Sequence, residues 1–524
     1  MHAHTRESAV SALILTTLAL LSITETARAQ LVDRTTAINT LGEGIRKSLA
    51  QQAGAGRGDA FTPDSSAFII QRDPFRAIRR GRQLFQRKFT FIQGQGPGLG
   101  DGAGDLDTVL AIGAGLADSC ALCHGRPRRS AGFGGDVATR PDSRDAPHLF
   151  GLGLQEMLAD EITTQLRAIR ALATAQAAAR KRTVRLPLVA KGIDYGSIAV
   201  ERNGTVDTSR VRGVNADLRV RPFFAEGGTI SIREFVVGAL KFEMGLDADD
   251  PELQAASDGV ARFVTPSGMV LDGARDAIEI PGPDPSGVKE IPTSLVDFLE
   301  FYLLNYFKPG RYQQTRATRD GRKVFDRIGC ADCHTPDLEI EHDRRVADVE
   351  TAYDPKRGIF NNLFATASAR LVETDDRSGH PSLKRPAGEP FLVEDIFTDM
   401  KRHDLGPNFH ERNYGGTTRT EFMTEPLWGV GSTGPYGHDG RSINLTEVIL
   451  RHGGEAERSR DAFARLPGPR KDDLLAFLNA LVLFPPDDTA SNLNPGDPNA
   501  AGYPQNGHGS ISLTVLFNDP TDVE

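Results

Sequence analysis

Apolar residues recur at helical spacing in two short stretches of the same shape. Residues 77–89 (AIRRGRQLFQRKF) carry Leu84 and Phe85, and residues 319–328 (RDGRKVFDRI) carry Val324 and Phe325. This spacing predicts one helix in each stretch. A second pair aligns without a gap: residues 225–239 (AEGGTISIREFVVGA) on residues 438–452 (HDGRSINLTEVILRH). Gly227 meets Gly440, Glu234 meets Glu447, and the apolar positions coincide. Each copy reads as a turn followed by an amphipathic helix, capped near Ser231 or Asn444. Upstream, APHLFGLG from Ala146 and EPLWGVG from Glu425 are two versions of a third segment. The pattern predicts an internal duplication, with a boundary near residues 285–295 where prolines cluster.

The ends of the chain follow other patterns. Arg6 precedes an apolar run over residues 10–23, and Ala27-Arg28-Ala29 offers a cleavage site before Gln30. We expect residues 1–29 to be a signal peptide, which implies a periplasmic protein. An uncleaved anchor is the competing reading, but the run is short for a membrane span, and nothing after Gln30 looks transmembrane. The stretch 93–104 is Gly-rich and reads as a surface loop, followed by a short extra helix over 105–119. Residues 486–524 are rich in Asn, Asp, Pro and Gly and are expected to wrap the surface, with 510–517 (SISLTVLF) as an added strand. The expected domains are therefore residues 30–290 and 291–485, followed by the tail. The 70 acidic residues outnumber the 61 basic ones for a net charge of −9, and the basic residues are scattered. This balance gives no reason to expect nucleic acid or an anionic membrane as partner.

All four cysteines fall in two CxxCH motifs, Cys120-Cys123-His124 and Cys330-Cys333-His334. Two thiols that add to haem vinyl groups, followed by a histidine with the reach to ligate iron, are the pattern of covalent c-type attachment. Zinc competes for CxxC, but a structural zinc site wants a second Cys or His pair close by, and none is near. The expectation is two covalently bound haem c groups. The fold expected is mainly α: two cytochrome c-type haem domains related by duplication, with long loops and little strand.

The two aligned helices differ where iron chemistry is sensitive to it. The second ends in His452, whereas the equivalent residue of the first is Ala239. If this helix end faces the haem, the C-terminal haem has two histidine ligands and the N-terminal haem has an open position for peroxide or oxygen. Glu243, one turn past Ala239, then has the place of a catalytic proton carrier. The plain alternatives are that His452 caps a helix and Glu243 is solvated.

With these residues in view, the sequence resembles the bacterial di-haem cytochrome c peroxidase superfamily. The motif Pro435-Tyr436-Gly437-His438-Asp439-Gly440 matches its segment after the second haem, and His452, fourteen residues past His438, matches the distal ligand position. Glu243-Met244-Gly245 matches its catalytic glutamate motif. Through LFGLGL from Leu149, TDMKRHDLG from Thr398 and LWGVG from Leu427, it is most similar to the di-haem oxidoreductases, and more distantly to di-haem rubber oxygenases. The likeness runs from about Ala77 to Phe484.

The resemblance implies reduction of hydrogen peroxide at the N-terminal haem. Electrons would be relayed by the C-terminal haem and resupplied by a small donor protein of cytochrome c or cupredoxin type. It leaves open an oxygenase or oxidase acting on an organic substrate, and a non-enzymatic electron carrier. Peroxidases of the superfamily usually have methionine where this chain has His452. Their inter-haem tryptophan has no counterpart in the N-terminal half, because the one tryptophan is Trp428; Phe223 or Phe224 is expected in the gap. His148 reads as a packing residue and His438 as a haem contact. A calcium ion between the haem domains is implied at Thr433, Pro435 and Asp145, where an ordinary turn is the competing reading. His403 is assigned to a haem carboxylate, and His342, His380 and His410 to the surface.

Overall fold

A computed structural model describes residues 49–87, 89, 119–124, 145–282, 289–305, 310–311, 314–353, 363–412, 416–482 and 511–512. The expected signal peptide, the Gly-rich insert, nearly all of the 105–119 stretch and most of the tail lie outside them. The main helices are α1 (Pro74–Gln86), α2 (Leu152–Arg180), α3 (Ile232–Phe242), α4 (Thr293–Leu304), α5 (Arg316–Arg327), α6 (Leu445–Arg451) and α7 (Gly468–Asn479). Among the described residues the strands are short and scattered and helix predominates, so the molecule is mainly α. The longest strands form hairpin-like pairs, such as Val184–Ala190 with Ile193–Val200. In the tail, Ile511–Ser512 pairs in parallel with Ala365 and Thr366.

Two helix crossings share one construction. α1 starts at Pro74 behind an Asp73 cap and crosses α4 at Gly81, where a Cβ would stand 2.1 Å from the Phe298 oxygen and 2.4 Å from Tyr302 Cβ. α5 starts from a Thr315–Thr318 capping box and crosses α7 at Gly321, where a Cβ would stand 2.0 Å from the Asp473 oxygen and 2.8 Å from Phe477 Cβ. Only glycine allows so close an approach of backbone to backbone. The far ends of α4 and α7 are met alike: a Cβ on Gly153 would strike the Leu304 oxygen, and one on Gly431 the Asn479 oxygen.

α3 and α6 also begin alike. Ser231 accepts from the Glu234 N–H at 3.1 Å, and Asn444 accepts from the Glu447 N–H at 2.9 Å. Each glutamate reaches back to the N–H of the residue before the cap, Ile230 or Ile443, at 3.0 Å. This reciprocal pattern satisfies donors that a helix start leaves unpaired. The preceding turns are closed by matching bridges, Phe223 to Thr229 and Tyr436 to Ser442. The helices then part company. α3 runs on to Phe242 and ends at Glu243, with Gly245 left-handed; α6 stops at Arg451, and His452 turns out in an extended conformation before Gly453 and Gly454.

The apolar interior falls into two clusters. One gathers Leu84, Phe85, Leu158, Val236 and Phe298, and extends to Ile396 and Trp428 from far along the chain. The other gathers Val324, Phe325, Phe397, Phe463 and Phe477. Phe325, Phe397 and Phe477 meet edge-to-face at 5.5 to 5.7 Å, a favoured aromatic geometry. Arg233 of α3 is fully buried and bonds to Asp250, Asp297 and Glu300 at 2.6 to 2.8 Å. Its partners on α4 fix the relation of the two helices, a buried charge being tolerable only when paired in this way. Among the described residues, no helix is long and apolar enough to cross a membrane.

Candidate metal centres

Each CxxCH motif lies against one of the two apolar clusters. The first forms a single helical turn, Cys120–His124, with Cys120 packed on the first cluster. The second opens with a short 3-10 turn, Cys330–Asp332, after the left-handed Gly329, with Cys330 packed on the second cluster. Burial pushes the Cys120 and Cys330 thiols up to about 12.

The three candidate axial histidines are oriented in one way. Nδ1 of His124 lies 2.6 Å from the Pro147 oxygen, that of His334 2.9 Å from the Phe397 oxygen, and that of His452 2.7 Å from the Val448 oxygen. A carbonyl only accepts, so Nδ1 must carry the proton and Nε2 the lone pair. Such a bond fixes the tautomer and orientation that ligation by Nε2 requires. Burial pulls His334 down to about 4 and lowers His452 as well, so both are neutral near pH 7, the form that binds metal. The His452 ring also packs edge-on to Phe409 at 5.3 Å.

At the first centre, the N–H of Glu243 bonds to the Ala239 oxygen at 3.0 Å, and the next residue, Met244, places its sulfur 4.0 Å from the Cys120 sulfur. The Glu-Met-Gly segment therefore stands at the first CxxCH, although the two are far apart in sequence. Ala239, with a methyl side chain within α3, is the residue that aligns with His452, which directly follows α6. Trp428 is buried, with its ring against Gly151, and its indole N–H has no partner among the described residues. A buried donor left unpaired by the polypeptide fits an acceptor from outside it, such as a haem carboxylate.

Residues 345–481 match the family described as di-haem oxidoreductase, putative peroxidase. Over these residues the chain is similar to the di-haem oxidoreductases. The matched segment holds His403, Trp428, His438 and His452 and begins after the second CxxCH. No curated protein matches. Among solved structures, a MauG-like protein associated with microbial copper homeostasis is 14% identical over 64% of this chain and 89% of its own, with a TM-score of 0.26. Hydrazine synthase of Kuenenia stuttgartiensis is 17% identical over 38% of this chain, with a TM-score of 0.22. This chain spans 59% of that hydrazine synthase chain. Both likenesses are too remote to bear on function.

The remaining predicted residues are distributed unevenly. Trp428 joins the halves: its backbone oxygen takes a hydrogen bond from His148 Nε2 at 3.0 Å. His148 is thus more than packing. Burial pulls it down to about 4, and its Nδ1 has no partner among the described residues. Phe223 is buried beside Phe235, whereas Phe224 is 40% exposed. His438 stacks on Phe422 at 4.0 Å, with Nε2 3.1 Å from the Glu411 carboxylate. Asp145 meets the turn after His438: its N–H bonds to the His438 oxygen at 2.8 Å and its side chain lies against Gly440. Burial, and then Asp439, push the Asp145 carboxyl up to about 7, and its Oδ1 is buried without a partner among the described residues. An oxygen so placed fits a cation. Thr433, in contrast, donates its hydroxyl to the Gly429 oxygen at 3.1 Å, and Pro435 leads into the same turn.

The sequence reading missed the setting of His403. The residue is 6% exposed, with Nε2 2.8 Å from Asp399 and Nδ1 2.9 Å from Glu455. Burial opposes the charge, but the bond to Asp399 outweighs it and holds His403 up at about 11. Asp399, His403 and the Cys333 sulfur stand within 4.8 Å of one another. His342 is exposed, His410 is half-buried on Asp404, and His380 is half-buried edge-on to Phe68.

Proposed function

We propose that this chain is an exported, periplasmic di-haem c-type oxidoreductase that reduces hydrogen peroxide at its N-terminal centre, with electrons relayed through a bis-histidine C-terminal centre. The observation that carries the reading is the shared orientation of His124, His334 and His452, each with Nδ1 on a backbone carbonyl, set beside the methyl group of Ala239. When bound, a c-type haem supplies an iron that exchanges one electron and takes an oxygen ligand wherever a coordination position is open. Cys120 and Cys123 would hold one such group, and Cys330 and Cys333 the other. His124 would ligate the first group, and His334 and His452 the second. Ala239 leaves the first open. Glu243 would hold the proton that moves between the two oxygens of peroxide as their bond breaks, so that one of them leaves as water. A small donor protein resupplies the C-terminal centre.

We further infer that the two halves are an internal duplication. The matching glycine crossings of α1 with α4 and α5 with α7, and the matching caps of α3 and α6, support it. By that correspondence α4 plays the part of α7, so the first unit extends through Leu304, one helix past the proline cluster. Asp145, with the turn of Thr433 and Pro435, is the place we assign to calcium.

Electron paramagnetic resonance of the ferric protein tests the reading. A high-spin signal beside a low-spin one is expected, followed by reductant-dependent peroxide consumption. Two low-spin signals would make the protein an electron carrier. Incorporation of labelled oxygen into an organic substrate, without peroxide turnover, would make it an oxygenase.

A further inference from the structure

His403 stands between two segments that bear on the C-terminal centre. A ring with a carboxylate on each nitrogen must donate from both, and here the acceptors are Asp399 at 2.8 Å and Glu455 at 2.9 Å. Charge-assisted bonds of this length are among the stronger ones in proteins. Asp399 lies two residues after Phe397, whose carbonyl orients His334, and the turn between them is fixed by Thr398 N–H on the Thr335 oxygen at 3.0 Å. The backbone oxygen of Asp399 also accepts from the buried Tyr195 hydroxyl at 3.0 Å. Glu455 lies three residues after His452. Its other oxygen accepts from the Asp404 N–H at 3.1 Å, and the Gly453 N–H donates to the Leu405 oxygen at 2.8 Å. On the opposite flank of His452, Arg451 bonds to Asp439 at 2.8 Å and to the Asn408 oxygen at 2.9 Å.

We propose that Asp399, His403 and Glu455 form a strut that positions His452 and keeps the C-terminal centre closed by two histidines. The proposal rests on the bis-histidine reading above. The strut ties the turn that aims one ligand to the loop that carries the other, so neither moves without breaking an ionic hydrogen bond of His403. Gly453 and Gly454 would otherwise leave that loop free to swing, since glycine restrains the backbone least. These three are positioning residues, and none needs to touch a reacting atom.

The test follows carbon monoxide binding to the fully reduced holoprotein by flow spectrophotometry, with haem content measured alongside. Wild type should show a fast phase at the open centre and a slow phase limited by departure of His452. Glu455→Ala and His403→Gln should each speed the slow phase by about tenfold or more, equivalent to about 1.4 kcal/mol. Glu455→Gln, which retains an acceptor, should fall between. Should His403→Gln fail to retain both haems, Glu455→Ala decides, because the Glu455 side chain is 56% exposed and its loss leaves the core intact. An unchanged slow phase in Glu455→Ala, with two haems per chain, overturns the strut. Fast binding at both haems of the wild type would instead overturn the bis-histidine reading, and the strut with it.

Discussion

Nε2 of His148 lies 3.0 Å from the backbone oxygen of Trp428, across 280 residues of chain. His148 follows Pro147, whose carbonyl orients His124. Leu427, before Trp428, donates its N–H to the Ile396 oxygen at 3.1 Å, and the next carbonyl, that of Phe397, orients His334. One run of peptide units and hydrogen bonds therefore connects the two candidate proximal ligands.

Replacing His148 with leucine leaves the buried Trp428 carbonyl without its donor. The expected loss is about 1–3 kcal/mol, read from denaturant unfolding of the holoprotein, together with slower electron exchange between the two centres after flash photolysis. Unaltered stability and exchange would show that the contact is incidental.

Ala239→His places an imidazole where α6 bears its own. The high-spin signal should give way to a second low-spin one and peroxide consumption should stop, while haem content stays at two. Glu243→Gln makes a separate prediction: the high-spin signal persists, and peroxide turnover falls by about 10²–10⁴-fold, the usual worth of a positioned proton carrier. A Gln variant with full turnover would remove Glu243 from the mechanism.

Calcium and pH should be linked through Asp145. Its carboxyl is raised to about 7, so the metal-free fold prefers it protonated. That preference stabilises the fold fully below the unfolded value of about 3.9 and is lost as pH rises toward 7. A bound calcium needs the carboxylate instead. The rise in melting temperature on adding calcium to chelator-treated protein should therefore be larger above pH 7 than below it, and Asp145→Asn should abolish the difference. A calcium response that is flat across this range would remove Asp145 as a ligand.

The glycine crossings predict two separable defects. Gly321→Val drives a side chain into the Asp473 carbonyl, and Gly81→Val does the same at Phe298. Overpacking of this kind costs about 1–3 kcal/mol or more. Limited proteolysis should show the C-terminal unit loosened in the first variant and the N-terminal unit in the second. Equal loosening of both units by either change would argue against two repeated units.

What the sequence reveals is local. The capping residues Ser231 and Asn444 and the pair of leading helices are legible because a cap or an amphipathic face is written within a few neighbouring positions. The leading helices start slightly earlier than their periodicity indicates, because Asp73 with Pro74, and Thr315, supply the start signals upstream. The bond from His148 to Trp428 and the bracket around His403 join residues 280 and 52 positions apart, and no local pattern announces them. The bridging place expected for Phe223 or Phe224 is a case in point. Sequence position put Trp428 in the other half, while the fold sets its ring against Gly151 and within the first apolar cluster.

α3 and α6 start at corresponding residues, yet α3 runs one turn longer. Under the proposed duplication, loss of the histidine together with a later helix end would withdraw a ligand from one copy and bring an acid up in its place. Divergence of the halves would then have needed no new scaffold, since both kept their caps and crossings. Reconstructed ancestors of the unduplicated unit should accordingly carry the short form of this helix, with histidine at its end, and gain ligand binding only when that histidine is lost.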